Sequence, residues 1–340
     1  MSDIVVFVRS KSRYGDQIVA FPALYQVKKL WPDKRVRVVS RFEVEDFYTQ
    51  LPWVDQFVRA EAFGDQVKAL PPRASASLTL HHSSERFALI NLLRRPALRL
   101  GFKNRRLGDC VWTHSHTKDI REYIGLANLR LLATLQEHDP EAIARQCFVE
   151  IGRSCAGTVQ PADIVLIPGG GSGQFKRWSV DHYIALADLL QARLGGGATF
   201  TFVLGPDEAA ERQRLKHMNR PDFRLECSRS VAELVALMQH ARLIVSNDCG
   251  PSHIAQGLCV PYVGVFNESN PEWFWARDYT RDVVPEAGES EINSIHPARV
   301  LEACMTVLNG PAPPSGITTT LPTCRRVSTA SCASAMSSSG

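Results

Sequence analysis

Short apolar runs alternate with amphipathic segments of helical length along most of the chain. This alternation is typical of α/β proteins, in which helices cover both faces of a parallel sheet. In the first half the pattern predicts strands near residues 4–8, 35–40, 77–81 and 97–101, with helices near 16–30, 84–94 and 117–135. In the second half it predicts strands over 163–167, 198–204, 242–246 and 261–266, with helices near 180–193, 207–218, 231–240 and 295–309.

Residues 151–163 are rich in Gly, Pro and small side chains, and they interrupt this pattern. They predict a linker between two domains, which would span residues 1–155 and 160–309. Each predicted domain is long enough to bury its own core. Beyond them, residues 310–340 consist mainly of Pro, Ser, Thr and Ala with few large apolar side chains. We expect this tail to be disordered.

The net charge of +4 is unevenly distributed. Residues 1–155 carry 24 Lys and Arg against 17 Asp and Glu, whereas residues 156–340 carry 15 against 18. The basic runs at 94–95 and 103–106 favour an anionic partner, such as an acidic glycan or a lipid surface, or else a solvated face. No aromatic side chains interleave with these runs, so nucleic acid is the least favoured partner.

Nine cysteines are scattered without a Cys-x-x-Cys pair, which favours buried thiols in a reducing compartment over disulfides or a zinc site. The apolar run before Arg9 is too short for the core of a signal peptide, and no apolar stretch reaches 18 residues. We therefore expect a cytoplasmic protein. His114 and His116 have no partner in metal-ligand spacing, so no metal site is assigned.

Asn247 and Asp248 close an apolar run and are followed by a Gly-Pro-Ser-His helix start. A second apolar run and another polar loop come next, so this segment is predicted to be strand, helix, strand. In parallel sheets ligands bind at the carboxyl ends of the strands, where helix N-termini present free N–H groups to anions. A nucleoside diphosphate fits such a position.

The stretch from Asn247 to His253, with the later Ser-Asn-Pro at 269–271, resembles the C-terminal signature of glycosyltransferase family 9, the bacterial lipopolysaccharide heptosyltransferases. The family pattern is Asn-Asp-Ser/Thr-Gly-Pro-x-His, followed by a Ser/Thr-Asp/Asn-Pro loop. The resemblance implies an α/β fold of GT-B architecture, with two Rossmann-like domains facing a central cleft. The first would bind the acceptor and the second the sugar nucleotide. Cys249 replaces the usual hydroxyl residue and is a weaker hydrogen-bonding partner.

Residues 9–24 match a second family motif, in which an Arg-containing first strand leads into Gly-Asp and then Pro-Ala. The resemblance implies that Asp16 is the general base, because the family assigns that role to the Asp of this motif. At the junction of a strand and a helix, its carboxylate would lie at the cleft and take the proton of an attacking sugar hydroxyl. The local sequence alone favours a helix N-cap for Asp16, and the full motif favours the base.

Residues 168–178 are predicted to form a glycine-rich loop after a strand, and they fit neither the Walker A motif nor the dinucleotide-binding glycine pattern. The family version is a Pro-Gly loop followed by Lys-x-Trp. The resemblance implies that Lys176 neutralises the departing nucleoside diphosphate, although a surface Lys is the simpler alternative. Ser179, where the family more often has Pro, can cap the next helix. The other donor-binding candidates in this loop are Gly169, Gly170, Gly171, Ser172 and Arg177.

The Asn247–His253 motif would supply the second half of the donor site. Gly250 and the N–H groups of Pro251, Ser252 and His253 are expected to cradle a phosphate. Asp248 and His253 would hold sugar hydroxyls or orient the loop. The alternative for Asp248 is a strand-end turn residue.

Asp207 and Glu208 follow the strand at 198–204, at a place where a family acid contacts the nucleotide ribose. Either residue equally suits the acidic first turn of a helix. On the acceptor side the candidates are Arg13, His81 and His82, although histidines at a strand end are often structural. Trp273 and Trp275 are expected in the core or in a wall against the nucleobase.

The motifs and the resemblance together imply an inverting glycosyltransferase that moves a heptose from ADP-heptose to the lipopolysaccharide inner core. The acceptor would be an anionic lipid-linked glycan at the cytoplasmic face of the inner membrane, with peripheral membrane contact. No cofactor, metal or nucleic acid is expected. Two alternatives stay open: a GT-B sugar-nucleotide epimerase, which would release nucleotide without an acceptor, and a non-catalytic module that binds the sugar nucleotide without turnover.

Overall fold

Two parallel six-stranded sheets form the framework of the protein. The computed structural model describes residues 3–8, 14–81, 85–155, 157–170 and 173–313. The first sheet has the strand order β3-β2-β1-β4-β5-β6, and every adjacent pair is parallel. Its strands are β1 (Ile4–Phe7), β2 (Val36–Ser40), β3 (Gln56–Arg59), β4 (Ala76–Thr79), β5 (Leu98–Lys103) and β6 (His114–Thr117).

The second sheet repeats this topology, with the order β12-β11-β10-β7-β8-β9 and parallel pairing throughout. Both sheets therefore have the doubly wound order 3-2-1-4-5-6 of Rossmann folds, and the predicted α/β class is confirmed. The strands of the second sheet are β7 (Ile164–Ile167), β8 (Phe200–Leu204), β9 (Phe223–Cys227), β10 (Leu243–Asn247), β11 (Tyr262–Val265) and β12 (Thr280–Val283).

Helices connect the strands and cover the sheets. In the first half they are α1 (Gly15–Ile18), α2 (Phe21–Leu30), α3 (Glu45–Thr49), α4 (Phe63–Ala69), α5 (Glu85–Arg94), α6 (Ile124–Ala133) and α7 (Pro140–Gly152). In the second half they are α8 (Val180–Arg193), α9 (Ala209–Met218), α10 (Val231–Met238), α11 (Gly250–Leu258) and α12 (Pro297–Leu308). Short 3₁₀ turns lie at Leu107–Val111, Arg153–Cys155, Gln174–Lys176 and Ile292–Ser294. No helix in the described ranges combines the length and apolar character needed to cross a bilayer.

The sequence pattern located the interior strands but missed the outermost strand on each side of both sheets. These four strands, β3, β6, β9 and β12, are partly exposed and carry polar side chains, whereas β1, β4, β7 and β10 are buried throughout. An edge strand is covered less completely than an interior one, so it does not appear as a continuous apolar run.

The helix predicted at 16–30 is divided into α1 and α2 at Val19 and Ala20. Pro22, in the first turn of α2, explains the break. Its ring nitrogen carries no hydrogen to donate, and the ring would clash with the carbonyl of residue 18 in a continuous helix. The short helix α1 is thereby held at the end of β1, and it carries Asp16.

Helix α7, which the sequence pattern did not predict, packs against α2 of the first half and against α10 and α11 of the second. It starts at an Asp139 cap that accepts a hydrogen bond from the Glu141 N–H, with Pro140 in its first turn. The segment predicted as a linker at 151–163 begins with the end of α7 and a 3₁₀ turn. One continuous core contains residues of both halves, so the two sheets are joined by apolar packing. The domain boundaries stay a prediction, and residues 314–340 of the expected tail lie outside the described residues.

The contact between α7 and α11 is tight at Gly257. A Cβ added there would lie 2.1 Å from the ring of Phe148, which is 1% exposed. We expect Gly257→Ala to lower the free energy of unfolding by about 1–3 kcal/mol, because the buried ring cannot move aside without strain. The matched control is Gly64→Ala in α4, where an added Cβ meets no atom within 4 Å. Denaturant unfolding of both variants checks this, and equal stability of the two would contradict it.

Candidate active site

The carboxyl ends of β1 and β10 face each other where α1 contacts the N-terminus of α11. A Cβ added to Gly250 would lie 3.4 Å from the Ile18 Cδ1 atom and 3.4 Å from the Tyr14 Cβ atom. The backbone at Gly250 therefore lies within a side chain's contact distance of α1. The two sequence motifs, far apart in the chain, therefore lie side by side at one cleft.

Asp16 is fully buried in the first turn of α1. The N-cap of this helix is Tyr14, so the interpretation of Asp16 as the N-cap is wrong. The neighbouring Gln17 is also buried, and its side-chain oxygen accepts a hydrogen bond of 2.6 Å from the Tyr48 hydroxyl. Burial, and then the charge of Asp16, raise the pKa of Tyr48 well above its usual range. Tyr48 is therefore a neutral hydrogen-bond donor that fixes α1 beside the cleft.

Asn247 joins the segments that form the donor side. Its side-chain oxygen accepts hydrogen bonds from the Tyr183 hydroxyl (3.0 Å) and the Trp178 N–H (3.4 Å), and its amide nitrogen donates to the Pro168 carbonyl (2.8 Å). The side chain is completely buried. Asn247 thus fixes the glycine-rich loop to the end of β10 and has little capacity left for a ligand.

Lys176 and Asp248 form an ion pair at the cleft, and their side chains are 24% and 21% exposed. The pair lines a small pocket together with residues of the loop after β11, namely Phe266, Asn267, Glu268, Asn270 and Trp273. A partly exposed cation and anion in contact at the carboxyl edge of a parallel sheet are placed to meet a charged ligand. The structure therefore brings together Lys176 and Asp248, two of the residues predicted to bind the donor.

Arg177 and Glu208 hold the glycine-rich loop against the turn after β8. The Arg177 guanidinium lies 3.1 Å from a Glu208 carboxylate oxygen and donates to the Gly170 carbonyl at 3.1 Å. Glu208 also accepts a 2.7 Å hydrogen bond from the Gly205 N–H. Both Glu208 oxygens are engaged within the protein, so this residue positions the loop, whereas Asp207 is exposed beside it.

His253 is buried and contacts Tyr123, a residue of the first half that the sequence motifs did not indicate. The His253 Nδ1 atom lies 3.2 Å from the Tyr123 hydroxyl, and the Tyr123 ring stacks on Trp275 at 5.3 Å. Burial lowers the pKa of His253 to about 4; Asp248 opposes this shift and Lys176 adds to it. The imidazole is therefore neutral at physiological pH and links the two halves.

The phosphate cradle expected at residues 251–253 is smaller than predicted. Pro251 has no N–H group, and the Ser252 N–H is donated to the Cys249 carbonyl at 3.2 Å. The Ser252 hydroxyl donates to the same carbonyl. Burial raises the pKa of the Cys249 thiol to about 12, so it stays protonated. The polar groups of Ser252 are bonded within this turn, and Gly250 packs closely against α1.

The other predicted residues lie in separate places. The His81 ring stacks on Phe87 at 4.8 Å, which supports a structural role. His116 lies 2.6 Å from a carboxylate oxygen of the buried Glu122. The Trp273 side chain lines the cleft, whereas Trp275 is 5% exposed in the core. The remaining candidates fall outside the described residues: Arg13, His82, Gly171 and Ser172.

Ser179 caps α8, as expected, by accepting a hydrogen bond from the His182 N–H. Two aromatic residues, Tyr123 and Tyr183, contribute to the site without any signal in the motifs. They reach it from other elements, and their hydroxyls meet His253 and Asn247 only after folding. A bulky aromatic residue next to a helix is too common in the sequence to be singled out.

A model of glycosyltransferase family 9 (heptosyltransferase) matches residues 99–285, more than half of the chain. The chain belongs to glycosyltransferase family 9. The match includes the glycine-rich loop with Lys176 and the whole Asn247–His253 motif. The expected family resemblance is therefore confirmed, and glycosyltransferase activity is the activity that family membership supports.

Individual relatives share the whole fold at low identity. Lipooligosaccharide heptosyltransferase 2 of Haemophilus ducreyi is 23% identical, over 79% of this chain and 84% of its own. The solved E. coli heptosyltransferase WaaC with ADP-2-deoxy-2-fluoro heptose has a TM-score of 0.64 at 16% identity and covers 88% of this chain and 98% of its own. The UDP-GlcNAc 2-epimerase of Methanocaldococcus jannaschii has a TM-score of 0.56 at 13% identity, over 91% and 93%. The GT-B architecture is thus confirmed.

In this family 9 member, His253 makes stability depend on pH. Its folded pKa of about 4 lies below the usual value near 6.5, so the unfolded state takes up a proton first as the pH falls. The free energy of unfolding of the parent therefore falls by up to about 3 kcal/mol between pH 6.5 and 4 because of this group. We expect the stability advantage of the parent over His253→Gln to shrink across this window.

Urea unfolding at several pH values between 7 and 4 measures this difference. The control is His240→Gln, which removes an exposed imidazole and should follow the parent at every pH. A difference between parent and His253→Gln that stays constant with pH would contradict a buried neutral imidazole.

Proposed function

We propose that the protein is an inverting heptosyltransferase that moves a heptose from ADP-heptose to the lipopolysaccharide inner core. The observation that carries the proposal is the placement of a buried carboxyl group, Asp16, on α1 against the helix that follows the Lys176–Asp248 pair. In this proposal Asp16 is the proton acceptor and Lys176 is the cation for the leaving diphosphate. The ADP-linked donor is carried over from the E. coli structure with ADP-2-deoxy-2-fluoro heptose, and the glycan acceptor from the relative named as a lipooligosaccharide heptosyltransferase.

In the proposed reaction an acceptor hydroxyl oxygen attacks the anomeric carbon of the heptose. The bond from that carbon to the diphosphate oxygen breaks, and ADP leaves with the bonding electron pair. The Asp16 carboxylate takes the hydroxyl proton as the new glycosidic bond forms. Attack from the face opposite the leaving group inverts the anomeric configuration. A single carboxylate, acting as the base, is sufficient for this reaction. The nucleotide departs as an anion, so no second acid is needed to protonate it.

Lys176 would offset the charge that grows on the diphosphate. An ammonium group has three hydrogens, so Lys176 can keep its hydrogen bond to Asp248 while donating to a phosphate oxygen. The carboxylate of Asp248 then orients the ammonium and leaves its own second oxygen for a sugar hydroxyl. Donors that are fixed before the reaction stabilise developing charge without reorganisation. No metal is needed in this scheme.

The two halves would divide the substrates, with the sugar nucleotide on the second and the acceptor on the first. Trp273, in the wall of the cleft, offers an apolar ring face beside the Lys176–Asp248 pair. The excess of Lys and Arg in residues 1–155 suits an anionic glycan. We place the reaction in the cytoplasm, with the acceptor presented at the inner membrane.

Asp16→Asn tests the role of the base, because it keeps the shape of the side chain and removes its basicity. We expect transfer to fall at least about a hundredfold at saturating donor and acceptor, since a general base contributes about 10²–10⁴ in rate. ADP binding and the melting temperature should stay near those of the parent. Asp65→Asn is the matched control, because Asp65 lies in the first turn of α4 and is exposed. Parental turnover in Asp16→Asn would remove this residue from the mechanism.

Lys176→Ala tests the stabilisation of the leaving group. We expect kcat/KM for the donor to fall more than roughly tenfold, equivalent to about 1.4 kcal/mol, because a charge facing the diphosphate is lost. Lys68→Ala in α4, an exposed Lys in the other half, is the control. Product analysis by NMR should show inverted anomeric configuration, and EDTA should leave the rate unchanged. Equal kcat/KM for Lys176→Ala and the parent would contradict the assignment.

The same assays separate the alternatives. A sugar-nucleotide epimerase would convert the donor or release free nucleotide without an acceptor. A binding module would bind ADP with no transfer and no hydrolysis in parent or variants. Transfer that requires the acceptor and is lost in Asp16→Asn fits only the proposed function.

A further inference from the structure

Helix α5 exposes a leucine stripe on its outer face. Phe87 and Ile90 on the inner face are buried against β1 and its neighbours, whereas Leu89, Leu92 and Leu93 are 47%, 55% and 58% exposed. Spacings of three and four residues place these three leucines on the same side of a helix. An amphipathic helix in a protein of this kind normally turns polar residues to solvent, so the stripe calls for a partner.

The 3₁₀ turn at Leu107–Val111 extends this apolar face. A Cβ added to Gly108 would lie 3.0 Å from the Ala88 Cβ atom, so the turn packs directly against α5. Leu107, at the start of the turn, is 92% exposed. The side chain of Asp109 accepts hydrogen bonds from the Asn104 and Arg106 N–H groups, which fixes the loop that presents Leu107. The exposed leucine is therefore held in place beside the stripe.

Basic residues lie close in sequence to these leucines. Residues 85–110 contain seven Lys and Arg against two acids, and one of those acids, Asp109, is engaged by backbone N–H groups. Arg95, Lys103, Arg105 and Arg106 are all exposed. Apolar side chains within a cluster of basic ones are typical of surfaces that insert into the headgroup region of an anionic membrane.

We propose that the α5 surface, formed by Leu89, Leu92, Leu93 and Leu107 with the basic residues close to them in sequence, docks on an anionic phospholipid bilayer. The positive charge of this surface favours a bilayer over a second copy of the chain as the partner. A second copy of the chain would bring the same excess of positive charge to the interface and be repelled, whereas a bilayer with acidic headgroups is complementary.

The surface lies next to the cleft. The turn with Leu107 follows the carboxyl end of β5, and parallel strands have their carboxyl ends at the same edge, where β1 leads into α1. Docking through Leu107 and α5 would hold that edge of the first half close to the headgroups. This part of the argument rests on the proposed function, because a lipid-linked acceptor would then reach the acceptor side without leaving the membrane.

Flotation of the full chain with vesicles tests the proposal. We expect binding to vesicles of phosphatidylcholine containing phosphatidylglycerol, little binding to phosphatidylcholine alone, and loss of binding at high salt. Leu92→Gln with Leu93→Gln, and separately Arg95→Gln with Arg105→Gln and Arg106→Gln, should each weaken vesicle binding at least about tenfold. The control is Arg193→Gln with Arg212→Gln and Lys216→Gln, which removes three exposed positive charges from the second half.

Melting temperatures should be unchanged in all three variants, because the substituted side chains are exposed. Transfer to a soluble, lipid-free acceptor should be unchanged in the leucine variant and in the control. Absence of parental binding to the anionic vesicles would overturn the proposal, as would parental binding by both patch variants. A dimer of the parent that dissociates in the leucine variant would assign the surface to a second copy instead. Failure of the proposed function is recognised separately, as vesicle binding without transfer to any acceptor.

Discussion

The contact between α1 and the N-terminus of α11 is the constraint on which the site depends. The approach is close, because a Cβ at position 250 would already be in van der Waals contact with Ile18 and Tyr14. Each half alone provides only a strand end with a polar loop. Their meeting brings α1, which carries the buried Asp16, against the helix that follows Asp248. Helix α7 and the shared apolar core, with Phe148 against Gly257, hold the two halves in this relation.

The sequence was sufficient for the interior strands of both sheets, because burial on both faces produces apolar runs. Strands β1, β4, β7 and β10 lie inside the sheets, and their residues are buried without exception. The edge strands carry polar and charged side chains, such as those of His114–Thr117, and periodicity gives no sign of them. Asp139 and Pro140 form a recognisable N-terminal signal for helix α7, but the packing of this helix against both halves depends on tertiary structure.

The motifs located the cleft more accurately than they assigned roles within it. Asn247 and Glu208 were expected to contact the donor, yet each has its polar atoms occupied by the protein, by Tyr183 and Pro168 or by Arg177 and Gly205. Whether a polar side chain can bind a ligand, or is already bonded within the protein, depends on hydrogen-bond partners that are distant in sequence. A local sequence motif does not indicate these partners.

Differences in burial give the ionisable groups of the site different charge states. His253 is kept neutral and bridges to Tyr123, while the partly exposed charges of Lys176 and Asp248 lie at the cleft. A donor complex would consequently find its charge partner on the glycine-rich loop and its aromatic wall at Trp273.

A crystal structure with ADP-heptose or an unreactive analogue would test the proposed roles of Asp16 and Lys176. We expect a diphosphate oxygen within hydrogen-bond distance of Lys176 Nζ, and the anomeric carbon turned toward Asp16 with room for one hydroxyl group between them. The attacking oxygen would then lie roughly 3–3.5 Å from that carbon. A nucleotide bound away from Lys176, or an Asp16 carboxylate on the same face of the sugar as the diphosphate, would contradict these roles.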